Sequence, residues 1–230
     1  MKSFVVKNRH HCRYFGFTLV EMLVVIAIMS ILMTAGAIGL GGTSGKGVTS
    51  GVASTESLFD EARNTAMSMQ TRTRVLVAKS LTNSPADNLR RILVATPGDT
   101  VNTWKISSRG LLLPDQVFFS KTFSREDAAG SGNFSEDMDL VGVKPAYLGT
   151  YYYYEFSSEG ICTTPGASFV IGSGTRGLTA SALAGPPKVT AAALRDFGGF
   201  VVWRSGSTSV FRSPEQISTQ FKSITPGTVF

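Results

Sequence analysis

The 230-residue chain has room for one domain plus an anchor, and its charged fraction of 17% lies below the roughly 25% of ordinary soluble domains. The formal charge of +6 is concentrated at the start: Lys2, Lys7, Arg9 and Arg13 stand without an acid before Gly16, and residues 17–230 hold 18 basic against 16 acidic residues. Bulk charge therefore gives no argument for nucleic-acid binding. Both histidines, His10 and His11, also precede Gly16, so a chain starting at Phe17 excludes Ser/His/Asp and Cys/His nucleophiles and His-ligated metals.

Residues 1–16 form a short basic leader ahead of an apolar run, the arrangement of a signal sequence with its positive charge held on the cytoplasmic side. Cleavage behind the apolar run has a candidate at Ala35-Gly36-Ala37; cleavage ahead of it, at Gly16–Phe17, leaves the helix on the mature chain. The 24 residues from Phe17 to Leu40 span about 36 Å as a helix, enough for a bilayer core. Glu21 is the one charge in that run, and no other follows until Lys46. A charge at the bilayer centre costs about 2.5 kcal/mol or more, so a bare hydrophobic anchor has no use for it.

The basic leader ending in Gly16, then Phe17-Thr18-Leu19-Val20-Glu21, then Met22-Leu23-Val24-Val25-Ile26-Ala27-Ile28, resembles the class III signal of type IV pilins and type II secretion pseudopilins. The resemblance implies that a prepilin peptidase cuts after Gly16 and methylates the new amino terminus of Phe17. It also implies that Glu21 pairs with the amino terminus of a neighbouring subunit during filament assembly. The physics agrees, because a buried carboxylate needs a cation and an amine at the end of an adjacent apolar helix supplies one.

Six glycines between Gly39 and Gly51 predict a melted or flexible joint, placed at 41–51. Helical spacing returns over 52–70, with Val52, Thr55, Leu58, Phe59, Ala62, Ala66 and Met69 on one face and Glu56, Asp60, Glu61 and Arg63 on the others. The acids are read as lying near that helix's start, where its dipole favours them. The string from Leu58 to Met67, followed by Thr73-Arg74-Val75-Leu76-Val77, resembles a second signature of the GspH/FimT branch of minor pseudopilins.

Beyond Thr71 the period falls to two. Strands are predicted at 74–79, 91–95, 103–107, 117–120, 151–156, 168–171, 200–204 and 209–212. Tyr154 to Gly160 followed by Ser168-Phe169-Val170-Ile171, and the hairpin from Gly199 to Arg212, resemble pieces of the same branch. Residues 121–146 read as a long acidic surface loop, and 172–193 as irregular, with one or two helical turns in 189–196.

Other constellations are thinner. Glu136, Asp137 and Asp139 are candidate hard-oxygen ligands for Ca²⁺ but follow no EF-hand pattern, so a solvated loop and no metal is the expectation. The stretch Gly172 to Gly177 lacks the Gly-Lys-[Ser/Thr] ending of a phosphate loop. Tyr151 to Tyr154 alternate faces in a strand, two rings inward and two outward; core and neighbour-subunit packing is the expectation, with stacking on bases or sugars the alternative for the outward rings. Arg176, Lys188, Arg195, Arg204 and Arg212 are the candidate DNA contacts, although scattered cations are usually a solvated surface. Cys162, alone once the leader with Cys12 is gone, is expected as a small buried hydrophobe.

The expected protein is thus α+β: a leader at 1–16 that is removed, a membrane and filament-core helix at 17–40, a joint at 41–51, and an amphipathic helix on a β-rich antiparallel head over 52–230. It is a non-enzymatic filament subunit of a type IV pilus or type II secretion pseudopilus and needs no cofactor. Its partners are a prepilin peptidase, other pilin subunits, an inner-membrane assembly platform and membrane lipid. Its place is the bacterial inner membrane, with the head periplasmic, and then the filament. The alternatives are a DNA-capturing minor pilin of a competence filament and a single-pass membrane-anchored binding protein.

Overall fold

The computed structural model describes residues 18–40, 44–125, 140, 142–163, 166–189 and 196–211. The chain divides after Gly42 into two compact units. In the first, helix α1 runs Leu19–Leu40. Apart from Glu21 and Ser30 its described side chains are apolar, and they are exposed all round: Leu19, Val20, Ile26, Ile31 and Met33 each leave more than 60% of their surface uncovered. Among the described residues no helix is long and apolar enough to cross a membrane. A spanning role for 17–40 is therefore carried by the sequence and not by the helix as described.

The second unit begins with α2, Ser44–Met69. Residues 44–51, expected as a joint, are helical, and α2 starts eight residues earlier than the spacing predicts. The reason is packing. A Cβ on Gly47 would lie 3.2 Å from Val117 Cγ2, and one on Gly51 would lie 2.8 Å from Ile171 Cδ1. These two glycines, four apart and so on one face, let the helix approach the sheet closely. Glu56, Asp60 and Glu61 consequently sit mid-helix, out of reach of the N-terminal dipole that was expected to favour them.

Eight strands follow: β1 Thr73–Leu81, β2 Arg91–Pro97, β3 Trp104–Leu112, β4 Val117–Phe119, β5 Gly149–Phe156, β6 Ala167–Ser173, β7 Phe197–Val202 and β8 Thr208–Phe211. A short helix, α3 (Ala180–Ala184), interrupts the stretch expected to be irregular; Thr179 caps it by accepting from the Ala182 N–H. The strands make two antiparallel four-stranded sheets, ordered β3-β2-β1-β5 and β4-β6-β7-β8.

Inner faces of both sheets meet α2 in one core. Val75 and Val77 of β1, Ile92 and Val94 of β2 and Tyr152 and Tyr154 of β5 share a face by register, and Phe169, Ile171, Phe200 and Val202 supply the other sheet. Phe59 of α2 is the hub, with ring centroids 5.2 Å from Tyr154, 6.2 Å from Phe156, 5.6 Å from Phe169 and 5.0 Å from Phe200, all edge-on. Edge-to-face pairs of this kind add about 0.5–1.5 kcal/mol each beyond area burial. Tyr154 also ties the sheets together, its hydroxyl donating to the Ser168 carbonyl at 2.9 Å. The Cys162 thiol is buried in this core.

The outer face of the first sheet is covered too. Leu76, Ala78, Leu93, Ala95, Trp104 and Tyr151 form a second cluster, with Leu140 and Tyr147 packed on it. Leu140 bridges to Trp104, and at the other end of the expected loop Arg125 bridges to Ser168. Residues 121–146 are therefore stitched to both sheets where they are described, in place of a wholly solvated loop.

Candidate assembly site

Thr18 opens α1. Its carbonyl accepts from the Met22 N–H at 3.2 Å, the first helical bond. The Glu21 N–H donates to Thr18 Oγ1 at 3.2 Å, and the Thr18 N–H and hydroxyl both donate to Glu21 Oε2 at 2.8 Å. This is a capping box, which satisfies two N–H groups that the first turn leaves without helical partners. Both donations fall on Oε2, and among the described residues Oε1 accepts no hydrogen bond. Glu21 is thereby held at the helix entrance with one oxygen available. Further along, the Ser30 hydroxyl donates to the Ile26 carbonyl at 2.8 Å, so that hydroxyl is satisfied within the helix, as an apolar surround demands.

Thr18 is a site residue that the sequence reading passed over. Its signal was present, since Thr-x-x-Glu ahead of an apolar run is the capping-box spacing. Gly16 and Phe17 lie outside the described residues, as do Glu136, Asp137, Asp139, Arg195 and Arg212. Among the described residues no group of three or more His, Cys, Asp or Glu could hold a metal ion.

The remaining candidates do not converge. Arg204 lies two residues past Val202, which pairs with Ala167 at the start of β6, whereas Arg176 lies three residues past Ser173 at its end. A seven-residue strand separates them, roughly 20 Å. Lys188 is closer to Arg176, its backbone exchanging two 2.8 Å hydrogen bonds with Thr175. Nor do the tyrosines offer open rings. Tyr152 and Tyr154 are in the main core, Tyr151 is buried on the opposite face, and the Tyr153 ring is covered by the Arg74 guanidinium at 3.8 Å. That guanidinium also stacks on Trp104 at 4.1 Å and pairs with Glu155.

Residues 12–37 match the prokaryotic N-terminal methylation motif. The chain carries a prepilin-type signal. No curated protein and no solved structure matches it. The match covers Thr18 and Glu21 but only 26 of 230 residues, so it speaks to the N-terminal signal and not to the head. A prepilin signal implies processing by a prepilin peptidase, membrane anchoring followed by filament localisation, and assembly with other pilins. It points to a structural protein and not to an enzyme. An α+β chain with an N-terminal helix and antiparallel sheets is compatible with a pilin fold.

Proposed function

We propose that this protein is a minor subunit of a type IV pilus-like or type II secretion pseudopilus filament, nearest the GspH/FimT-like pseudopilins. The carrying observation is the methylation motif over 12–37, with Glu21 at its fifth position after the Gly16–Phe17 junction. The prepilin waits in the inner membrane with its amino terminus cytoplasmic and its head periplasmic. Cleavage after Gly16 exposes the Phe17 amine, which is then methylated. The Glu21 carboxylate, tethered through Oε2 to Thr18, presents Oε1 to the amine of a neighbouring subunit. Such a pair in an apolar surround is expensive to break once formed, and so registers the incoming helix.

The apolar run supports the same reading. A helix hydrophobic all round needs lipid or other helices around it, and moving from membrane to filament core exchanges one such environment for the other. Placement in the GspH/FimT branch rests on the 58–67 and 73–77 pattern and on the late hairpin, which is β7–β8 in the structure. Intact-mass analysis after co-expression with a prepilin peptidase tests the reading: loss of residues 1–16 and gain of one methyl is expected, and an uncleaved chain overturns it.

A further inference from the structure

We propose that the head holds a phosphate-binding site between Arg90 and Arg176, a feature independent of filament assembly. Arg90 ends the turn before β2, and Arg176 follows β6. Both guanidiniums stand against one ring, with Cζ of Arg90 6.0 Å and Cζ of Arg176 4.8 Å from the Phe118 centroid. Asp115 pairs with Arg90, whereas among the described residues no carboxylate pairs with Arg176. Burial and the neighbouring Arg90 together push the Arg176 guanidinium below its usual proton affinity.

Their hydrogen bonds are incomplete in a specific way. Arg90 Nη2 donates to the Leu113 carbonyl at 2.9 Å and to Asp115 Oδ1 at 2.6 Å, while its Nε is buried without an acceptor among the described residues. Arg176 Nη1 donates to the Asn88 carbonyl at 2.9 Å, and its Nε and Nη2 are both buried without acceptors among the described residues. Nε and Nη2 form the side-on fork of a guanidinium, which two oxygens of an oxyanion match. Buried donors are nearly always paired, so three orphans on two adjoining side chains mark a place where an acceptor belongs.

Space is provided beside them. A cavity of about 360 Å³ is lined by Arg90, Gln116, Phe118, Gly174, Arg176 and Leu183, among others. Among the described residues the one carboxylate on its wall is Asp115, whose side chain is 95% exposed and already engaged by Arg90. A phosphate group carries about −1.5 to −2 charges near neutral pH against the single charge of a carboxylate, which suits a site walled by two guanidiniums.

The test uses the full chain in a non-ionic detergent, which brings no phosphate of its own. Inorganic phosphate is titrated at constant ionic strength against sodium chloride, and the arginine Nε–H resonances are followed. Saturable shifts at Arg90 and Arg176, and none at the exposed Arg204, are expected. Arg176→Gln should abolish saturation. Arg176→Lys keeps the charge but lacks the fork, and should weaken phosphate at least tenfold while leaving the backbone spectrum unchanged. Non-saturating shifts spread equally over all three arginines, or undiminished binding by Arg176→Lys, would overturn the site. Saturation of the same resonances by acetate at lower concentration than phosphate would overturn the choice of phosphate.

Discussion

Thr18 and Glu21 close a reciprocal set of hydrogen bonds at the entrance of α1, with the Thr18 hydroxyl both donating to the Glu21 carboxylate and accepting from the Glu21 N–H. The carboxylate thus has two separable roles: it caps the helix, and under the proposed function it offers a charge to a neighbour. Gln serves in a capping box as well as Glu does, so Glu21→Gln removes the charge and keeps the cap. Breaking a buried ion pair costs about 3–5 kcal/mol, well beyond the ~1.4 kcal/mol that makes a tenfold difference. Both Glu21→Gln and Glu21→Ala should therefore reach the membrane fraction normally and appear in sheared filaments at a tenth of the wild-type level or less. Normal incorporation of Glu21→Gln would reduce Glu21 to a cap.

Thr18→Val isolates the other half. It keeps the side chain's shape, leaves the backbone N–H donation to Glu21, and deletes the hydroxyl. Loss of an N-cap costs about 1 kcal/mol. Filament incorporation should fall severalfold but not vanish, measured by the same immunoblot of sheared material. A defect as deep as that of Glu21→Ala would mean that the hydroxyl does more than cap.

In the head, Phe59 touches rings from both sheets and is 1% exposed. Truncation to Ala leaves a cavity at the junction of α2 with β5, β6 and β7, and large-to-small changes of this kind cost about 3–5 kcal/mol. The denaturation midpoint of Phe59→Ala should drop accordingly, and Phe59→Leu should recover part of the loss. Equal stability of Phe59→Ala and wild type would show that α2 is not the core's centre.

The strands were legible because Gly, Pro and Asn punctuate short β-branched and aromatic runs; all eight predicted segments overlap an observed strand. The amphipathic face of α2 was equally plain: Val52, Thr55, Leu58, Phe59, Ala62 and Ala66 are all buried, and Met69 alone of that set, at the helix's last position, is exposed. The start of α2 was not, because glycine lowers intrinsic helix propensity and only the tertiary contact with Val117 and Ile171 reveals why small residues sit there. Nor could spacing along the chain show that Arg176 meets Arg90 while Arg204 lies at the far end of β6.

The close packing at Gly51 yields its own prediction. If 44–51 were a loose joint, adding a side chain at Gly51 would be harmless, or would help by raising helix propensity. In the packed arrangement a Cβ there meets Ile171 Cδ1 at 2.8 Å, with Leu113 and Pro114 at 3.5 Å. Gly51→Val overfills that contact and should destabilise the head by about 1–3 kcal/mol. Guanidinium unfolding followed by tryptophan fluorescence checks it, and an unchanged or raised midpoint would restore the joint.

Asp196 makes the head's stability depend on pH. It precedes β7, shares a cavity wall with Glu56, and has its Oδ2 buried without a hydrogen-bond partner among the described residues. Burial raises its carboxyl above the ordinary value, against a smaller lowering by the Ser173 hydrogen bond. A folded-state carboxyl raised above the unfolded one favours the protonated form. This group therefore costs nothing at pH below its unfolded value, and its penalty grows as pH rises through the interval up to the raised folded value. Asp196→Asn, neutral at every pH, removes that penalty. It should unfold at higher denaturant concentration than wild type at pH 7, with the gap closing as the pH falls below the ordinary carboxylate range. Denaturation midpoints measured from pH 3 to 7 decide the matter, and a gap that widens towards low pH would reverse the sign assigned to Asp196.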